Sequence, residues 1–332
     1  MQRIQSIDLM RLIAILSVII IHTTPFDSSS HDTFYYLKII SNQLSKFAVP
    51  FFFIISGYFF HIKYLKTNLD TASVFVIKRL LILFIFWCFF YLIPWNGSIL
   101  FENLISRFQT NPYNTILEGT QIHLWFLVSL ILSIAISNIF IRLNHKHSFY
   151  LLSVFSFLLF IFGVIAGSWS KTPIGIDINF NTRNGPFFST IFFVTGLVIS
   201  KFKNKDNFFK LGGVLLLIGA SLQISESYFL YKKYNVFFTN TDYVFSTYIF
   251  ALGFSLLALS NSPKLSSKLS GFGVYTLGVY AVHFSLISML SSIDAQIDHL
   301  LWEVTYPFIV LLISLIIAIL FSKIKFMRRF FT

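Results

Sequence analysis

Two residues in the first apolar stretch have the types and the spacing to do chemistry. Arg11 and His22 bracket the run from Leu12 to Ile21. On a helix, eleven residues rise about 16.5 Å over close to three turns, so both side chains lie on one stripe. That rise is about half of a bilayer core. A cation near one surface and an imidazole deep in the helix are costly in lipid and usually functional. A neutral imidazole can accept a proton, which is the work of a general base. Asp8, three residues before Arg11, can pair with it on a helix and ease the cost of the charge. Two plainer readings stand beside this one. The stretch could be a signal peptide, with a basic start, a short apolar centre and small residues (Ser28, Ser29, Ser30) after it. Alternatively, His22 could be an interfacial residue at a helix end.

Four further motifs lie in or beside apolar segments. Ser56-Gly57 follows Pro50 and the run Phe51 to Ile55. A small pair there lets a second helix, or a ligand, approach the backbone, and simple helix packing is its plainer use. Lys78-Arg79 stand just before the third apolar segment, where adjacent cations could hold phosphates or merely serve topology and lipid headgroups. His123 and Trp125 open the fourth segment. Two residues apart, they do not share a helix face, so one could serve a site while the other anchors at the interface. Tyr275 to His283 brings a second imidazole into apolar surroundings, where a satisfied bundle histidine is the plainer reading. No metal set is expected, because the histidines are scattered and His145 and His147 merely flank Lys146 in a short loop. The single cysteine, Cys88, offers no disulfide framework, and no glycine-rich nucleotide loop occurs.

The elements that must position these residues are membrane helices. Of 332 residues, 56% are hydrophobic and only 11% charged, against about 25% charged in soluble proteins. Ten apolar segments can be drawn, roughly 7–24, 44–61, 76–93, 122–143, 148–166, 187–200, 211–225, 243–260, 272–292 and 304–322. The sixth and seventh read as short and broken by glycine. The expected fold is an all-α integral membrane protein, a bundle of about ten transmembrane helices forming one domain over 1–332 with no separate soluble domain. With the N-terminus in the cytosol, alternation places most of the 25 lysines and arginines on the cytosolic side and most acids outside. Both termini are then cytosolic, and Arg11 faces the cytosol with His22 in the outer half. This pattern also favours a retained first span over a cleaved leader. The net charge of +12 needs no nucleic acid, because the basic residues cluster between spans. The outer loops 94–121 and 167–186 mix aromatic, amide and charged residues, among them Trp95, Asn96, Glu102, Arg107, Glu118, Asn181, Arg183 and Asn184. Such side chains suit a carbohydrate, whose hydroxyls want hydrogen bonds and whose ring faces stack on aromatics; an ordinary solvated loop is equally consistent.

Arg11, ten residues, then His22, preceded by Ile7-Asp8-Leu9, resembles the signature of the acyltransferase-3 family of membrane O-acyltransferases. Ser56-Gly57, Lys78-Arg79, His123-Leu124-Trp125-Phe126 and Tyr280-Ala281-Val282-His283 follow in the family's order. The histidine-tryptophan stretch is most similar to the surface-polysaccharide acetyltransferases. Leu12 departs from the small residue the family often has there, which loosens any inference of close packing at that point. The hydrolase-like domain that some members carry after the tenth helix is not expected here. The resemblance implies a multi-pass protein of the plasma or inner membrane that takes an acyl group, commonly acetyl, from cytosolic acyl-CoA to a hydroxyl of a cell-envelope glycan or its lipid-linked precursor. It implies Arg11 and His22 as catalytic residues, and Arg11, Lys78, Arg79, Ser56 and Gly57 as donor contacts. His123, Trp125, His283 and Arg183 would then shape the acceptor side. Membrane lipids, acyl-CoA and the glycan are the expected partners, with homo-oligomer formation open. A transporter or flippase of a glycan or lipid-linked sugar would show the same spans and buried polar residues, and a non-catalytic partner of a polysaccharide synthase is a third reading.

Overall fold

A computed structural model describes residues 4–26, 32–93, 100–143, 146–263, 265–297 and 299–332. Ser28 to Ser30, Trp95, Asn96, His145 and the side chain of Glu102 lie outside the described residues. The described elements are all helical. They run α1 (Gln5–Thr23), α2 (Asp32–Leu44), α3 (Ala48–Lys66), α4 (Leu69–Phe90), α5 (Leu100–Thr110), α6 (Pro112–Glu118), α7 (Trp125–Arg142), α8 (Ser148–Ile165), α9 (Pro186–Ile199), α10 (Phe208–Tyr234), α11 (Ser246–Leu259), α12 (Thr276–Asp294), α13 (Leu300–Lys323) and α14 (Arg328–Phe331). Short 3-10 segments, Ile122–Leu124 and Lys268–Tyr275, lead into α7 and α12. Among the described residues, eight helical stretches are long and apolar enough to cross a membrane, and α9 and α11 are shorter apolar helices. The protein is a multi-pass membrane protein.

Each apolar segment drawn from the sequence falls on a helix, but several bounds move. The seventh, expected to be short and broken by glycine, is the 27-residue α10. Two of its three glycines are contact points rather than breaks: a Cβ on Gly219 would lie 2.4 Å from the Phe250 Cα, and one on Gly212 2.9 Å from the Gly253 carbonyl oxygen. The fourteen-residue α11 begins only at Ser246. The helices α2, α5 and α6 were not expected. Their faces mix polar with apolar residues, so hydropathy alone passes over them. For α6 a start signal is legible, with Pro112 in its first turn and the Asn111 side chain accepting from Asn114 N at 3.1 Å.

The chain forms two compact units. The first comprises Met1–Val49, Lys205–Tyr228 and Ile249–Thr332. Within it α1 packs against the Lys268–Tyr275 segment, α12 and α13. The close approach that Leu12 made doubtful occurs nearby at Asp8, where a Cβ on Gly273 would stand 2.3 Å from the Asp8 carbonyl oxygen. Buried amides also tie this unit together: Gln43 Oε1 accepts from Gln223 Nε2 at 2.9 Å and from Ser227 Oγ at 2.8 Å. In an apolar surrounding such bonds take over part of the work that the hydrophobic effect does in water.

The second unit comprises Pro50–Asn204 and Phe229–Tyr248. There α9 packs against α7 and α8, and α7 against α4. Serines stitch α7 to α9, with Ser133 Oγ donating to Ser189 Oγ at 2.7 Å and Gly185 N to Ser129 Oγ at 2.9 Å. The contact of α3 with α9 is backbone against backbone. A Cβ on Gly57 would lie 2.0 Å from the Phe193 carbonyl oxygen, and one on Gly196 1.9 Å from that of Ile54.

Candidate active site

In the first unit α1 runs unbroken from Gln5 to Thr23, so Arg11 and His22 stand on one continuous helix. Arg11 Nη1 donates to Asp8 Oδ1 at 3.1 Å, the pairing expected from their spacing, and the Asp8 carboxylate is buried. At the other end the His22 ring meets the His283 ring, with centroids 5.4 Å apart and planes tilted by 40°. Phe284 stands edge-on to His22 at 5.4 Å. His283 is fully buried, and its Nδ1 lies 2.7 Å from the Tyr280 carbonyl oxygen. A carbonyl can only accept, so Nδ1 carries the hydrogen and Nε2 is the acceptor of the neutral ring. Two imidazoles from separate helices thus come together, though 260 residues separate them in the chain.

Past His22 the backbone turns sharply. Thr24 and Phe26 adopt left-handed φ values of 41° and 71°, a conformation that is strained for a bulky residue such as phenylalanine. The turn is held from α13, where the Glu303 carboxylate accepts from Phe26 N at 2.5 Å. Sequence reasoning missed Glu303 because the last segment was drawn from 304. The helix begins at Leu300, which puts this buried acid inside it. A lone carboxylate next to an apolar span was the signal that could have found it.

The remaining expected residues belong to the second unit. Gly57 is occupied by helix packing, as its contact with Phe193 shows, and Ser56 beside it is half-buried. Lys78 and Arg79 are exposed, but they lie within α4 rather than before it, since α4 starts at Leu69. His123 sits in the 3-10 turn before α7, its ring 5.0 Å from that of Tyr91. Trp125 is no interfacial anchor. It is buried between Phe53 at 6.1 Å and Phe188 at 5.8 Å, with the Arg183 guanidinium 5.3 Å from its ring.

Arg183 is a junction. Its Nη1 donates to Asp242 Oδ1 at 3.1 Å, and its Nη2 stands 3.6 Å from Glu118 Oε1. Glu118 also accepts from Arg107 Nη2 at 2.6 Å and from Asn184 Nδ2 at 2.7 Å. Asn181 Nδ2 donates to the second Asp242 oxygen at 3.2 Å. Tyr113 on α6 donates to the Asn184 carbonyl oxygen at 3.1 Å, and burial pushes its phenol above the usual tyrosine range. Glu118 and Asp242 join Arg183 only through folding. Among the described residues no group of histidine, cysteine and carboxylates could hold a metal ion.

Residues 4–323 match the acyltransferase domain of the acyltransferase-3 family. The chain belongs to that family. Acyl transfer is the activity that the family's description names. The chain is also similar to an amino-acid racemase of Enterococcus faecalis, 27% identical over 344 aligned positions that cover 97% of this chain and 46% of the relative. A second amino-acid racemase of that organism is 29% identical over 234 positions, 66% of this chain and 32% of the relative. A serine/alanine racemase of Enterococcus gallinarum is 26% identical over 253 positions, 68% of this chain and 33% of the relative. The chain thus spans less than half the length of these relatives. No solved structure matches it.

Proposed function

We propose that this acyltransferase moves an acyl group, acetyl in the simplest case, from cytosolic acyl-CoA to a hydroxyl of a cell-envelope polysaccharide or its lipid-linked precursor. It does so as a membrane-bound O-acyltransferase of the plasma or inner membrane, with both termini cytosolic. The observation that supports this best is the meeting of His22 and His283 at one end of α1, with Arg11 about 16.5 Å away along the same helix. The basic residues Arg11, Lys78 and Arg79 serve the donor's phosphates through charge-assisted bonds. Ser56, beside Gly57, steadies the thioester. His22 takes the proton of the acceptor hydroxyl as its oxygen attacks the thioester carbonyl; the carbon–sulfur bond breaks and the thiolate leaves with a proton as free coenzyme A. His22 carrying the acyl group covalently between donor and acceptor is the other route to the same ester. His283, with Nδ1 committed to a backbone carbonyl, orients the His22 ring, while His123, Trp125 and Arg183 shape the acceptor side.

The racemase relatives favour a second reading, since their names state action on amino acids. Under it the shared membrane portion moves a small solute and makes no ester. Mass spectrometry of the envelope glycan from cells with and without the gene separates the two. One acyl mass at one sugar, lost with the gene, supports transfer. An unchanged glycan together with no acceptor-dependent release of coenzyme A by the purified protein sinks it.

A further inference from the structure

Where α12 ends and α13 begins, three side chains of the first unit form a patch that plays no part in the transfer step proposed above. Asp294 is the last residue of α12, and Trp302 and Tyr306 stand one turn apart on α13. The two rings are stacked, with centroids 5.2 Å apart and planes tilted by only 19°. The indole Nε1 donates to Asp294 Oδ1 at 2.7 Å. Trp302 therefore touches both of the others, and the three share one place. Glu303, the residue after Trp302, accepts from Phe26 N, so the patch lies at the same end of α1 as His22.

Two polar atoms of the patch are open. Tyr306 is 2% exposed, and its hydroxyl has no hydrogen-bond partner. Among the described residues Asp294 Oδ2 has none either, since the indole takes only Oδ1. The carboxylate is near enough for its charge to act on the phenol, yet the two do not bond. A buried hydroxyl without a partner is uncommon and costs stability. The ring stacked on the phenol is Trp302, which is itself half-buried and tethered by one side-chain bond. A small shift of the indole lets a ligand reach the hydroxyl beside it.

The chemistry of the missing partner follows from these two atoms. The phenol has a hydrogen to give, and the carboxylate can only accept. An alcohol answers both at once: its oxygen accepts from Tyr306 and its hydrogen goes to Asp294. An ammonium group would satisfy the carboxylate but offers no lone pair to the phenol's hydrogen. An alcohol carried on a ring with an apolar face also gains by lying against the indole.

We propose that Asp294, Trp302 and Tyr306 form a sugar-binding subsite at the junction of α12 and α13. One ring hydroxyl bridges the phenol and the carboxylate, and the sugar's apolar face packs on Trp302. The sugar is uncharged, because Asp294 repels the carboxylate of an acidic one. The three residues set which sugar is held at the His22 end and do not touch the reacting hydroxyl; this role rests on the glycan acceptor proposed above.

The test uses the full chain in phosphatidylcholine nanodiscs, without acyl donor. The probe is unacylated envelope polysaccharide from cells lacking the gene, with saturation-transfer NMR reading binding and thermal unfolding reading the fold. The wild type binds, and Trp302→Ala weakens binding by about tenfold. Asp294→Asn, which keeps an oxygen for the indole, weakens it by a similar factor of about ten. Tyr306→Phe also weakens binding, yet its Tm stays at or above wild type, because it deletes a hydroxyl that had no partner. A fall in the Tm of Tyr306→Phe means that an internal partner holds the phenol, and it overturns the proposal. A wild type that does not bind overturns it too. Variants that bind as the wild type does overturn the subsite and leave acyl transfer to the glycan standing. Binding that depends on all three residues, in a protein that neither esterifies the glycan nor releases coenzyme A, sinks the function proposed above and keeps the subsite. A Tm rise with L-serine that Asp294→Asn abolishes assigns the patch to an amine and overturns the sugar.

Discussion

The surroundings of His22 and those of Arg183 solve opposite problems. His22 meets rings, His283 at 5.4 Å and Phe284 at 5.4 Å. The chain beyond it is pinned through a backbone amide, from Phe26 to Glu303. Arg183 is held by charge: Asp242 on one side, Glu118 on the other, and Trp125 beneath. On the function proposed above, an imidazole that takes and returns a proton is served by packing that orients its ring. A guanidinium that is always charged needs carboxylates to be buried at all. The contrast separates residues whose loss should cost rate from residues whose loss should cost folding.

Substitutions at four positions can break or sharpen that contrast. His22→Ala should lower acceptor-dependent release of coenzyme A by about 10²–10⁴-fold. Its unfolding temperature should hardly move, since ring contacts of this kind contribute only about 0.5–1.5 kcal/mol. A parallel collapse of Tm would make His22 structural and erase the difference. Glu118→Ala should do the reverse, lowering stability by about 2–4 kcal/mol by leaving Arg183 and Arg107 without their shared carboxylate. The figure stays below that of a fully buried pair because water reaches Arg107; thermal unfolding of the purified protein measures it.

Gly196→Ala drives a Cβ against the Ile54 carbonyl oxygen and should cost about 1–3 kcal/mol. Because it separates α3 from α9, it should also disturb the hydrogen bond between His61 and Ser200, and a wild-type Tm would mean that the helices yield freely. The smallest effect belongs to Glu303. Glu303→Gln keeps an oxygen for Phe26 N and should leave Tm near wild type, whereas Glu303→Ala should cost about 1–3 kcal/mol for the orphaned amide. If Gln and Ala were equally active and equally stable, the left-handed turn after His22 would need no anchor from α13.

Much of the fold was legible because its dominant signal is one-dimensional. Long apolar runs must become helices when no water is present to satisfy the backbone, so the ten segments could be drawn from hydropathy alone. The error at the seventh shows where that signal stops. Gly212 and Gly219, which read as breaks in α10, are places where Gly253 and Phe250 come close, and only a partner helix tells the two apart. Lys78-Arg79 show the same limit: read as standing just before a span, they lie inside α4, which begins two turns earlier at Leu69.

Of the candidate site, the spacing of Arg11 and His22 and the Asp8–Arg11 pair follow from helical periodicity, which is local and therefore written in the order of residues. Tertiary structure alone decided that His22 meets His283, that Glu303 holds the turn after it, and that Trp125 is buried under Arg183 rather than placed at an interface. Each of those contacts joins residues distant in the chain. What fixes them is how backbones can approach one another, at Gly273 against Asp8 and at Gly57 and Gly196 between α3 and α9. Periodicity says which face a side chain occupies; only packing says what stands opposite.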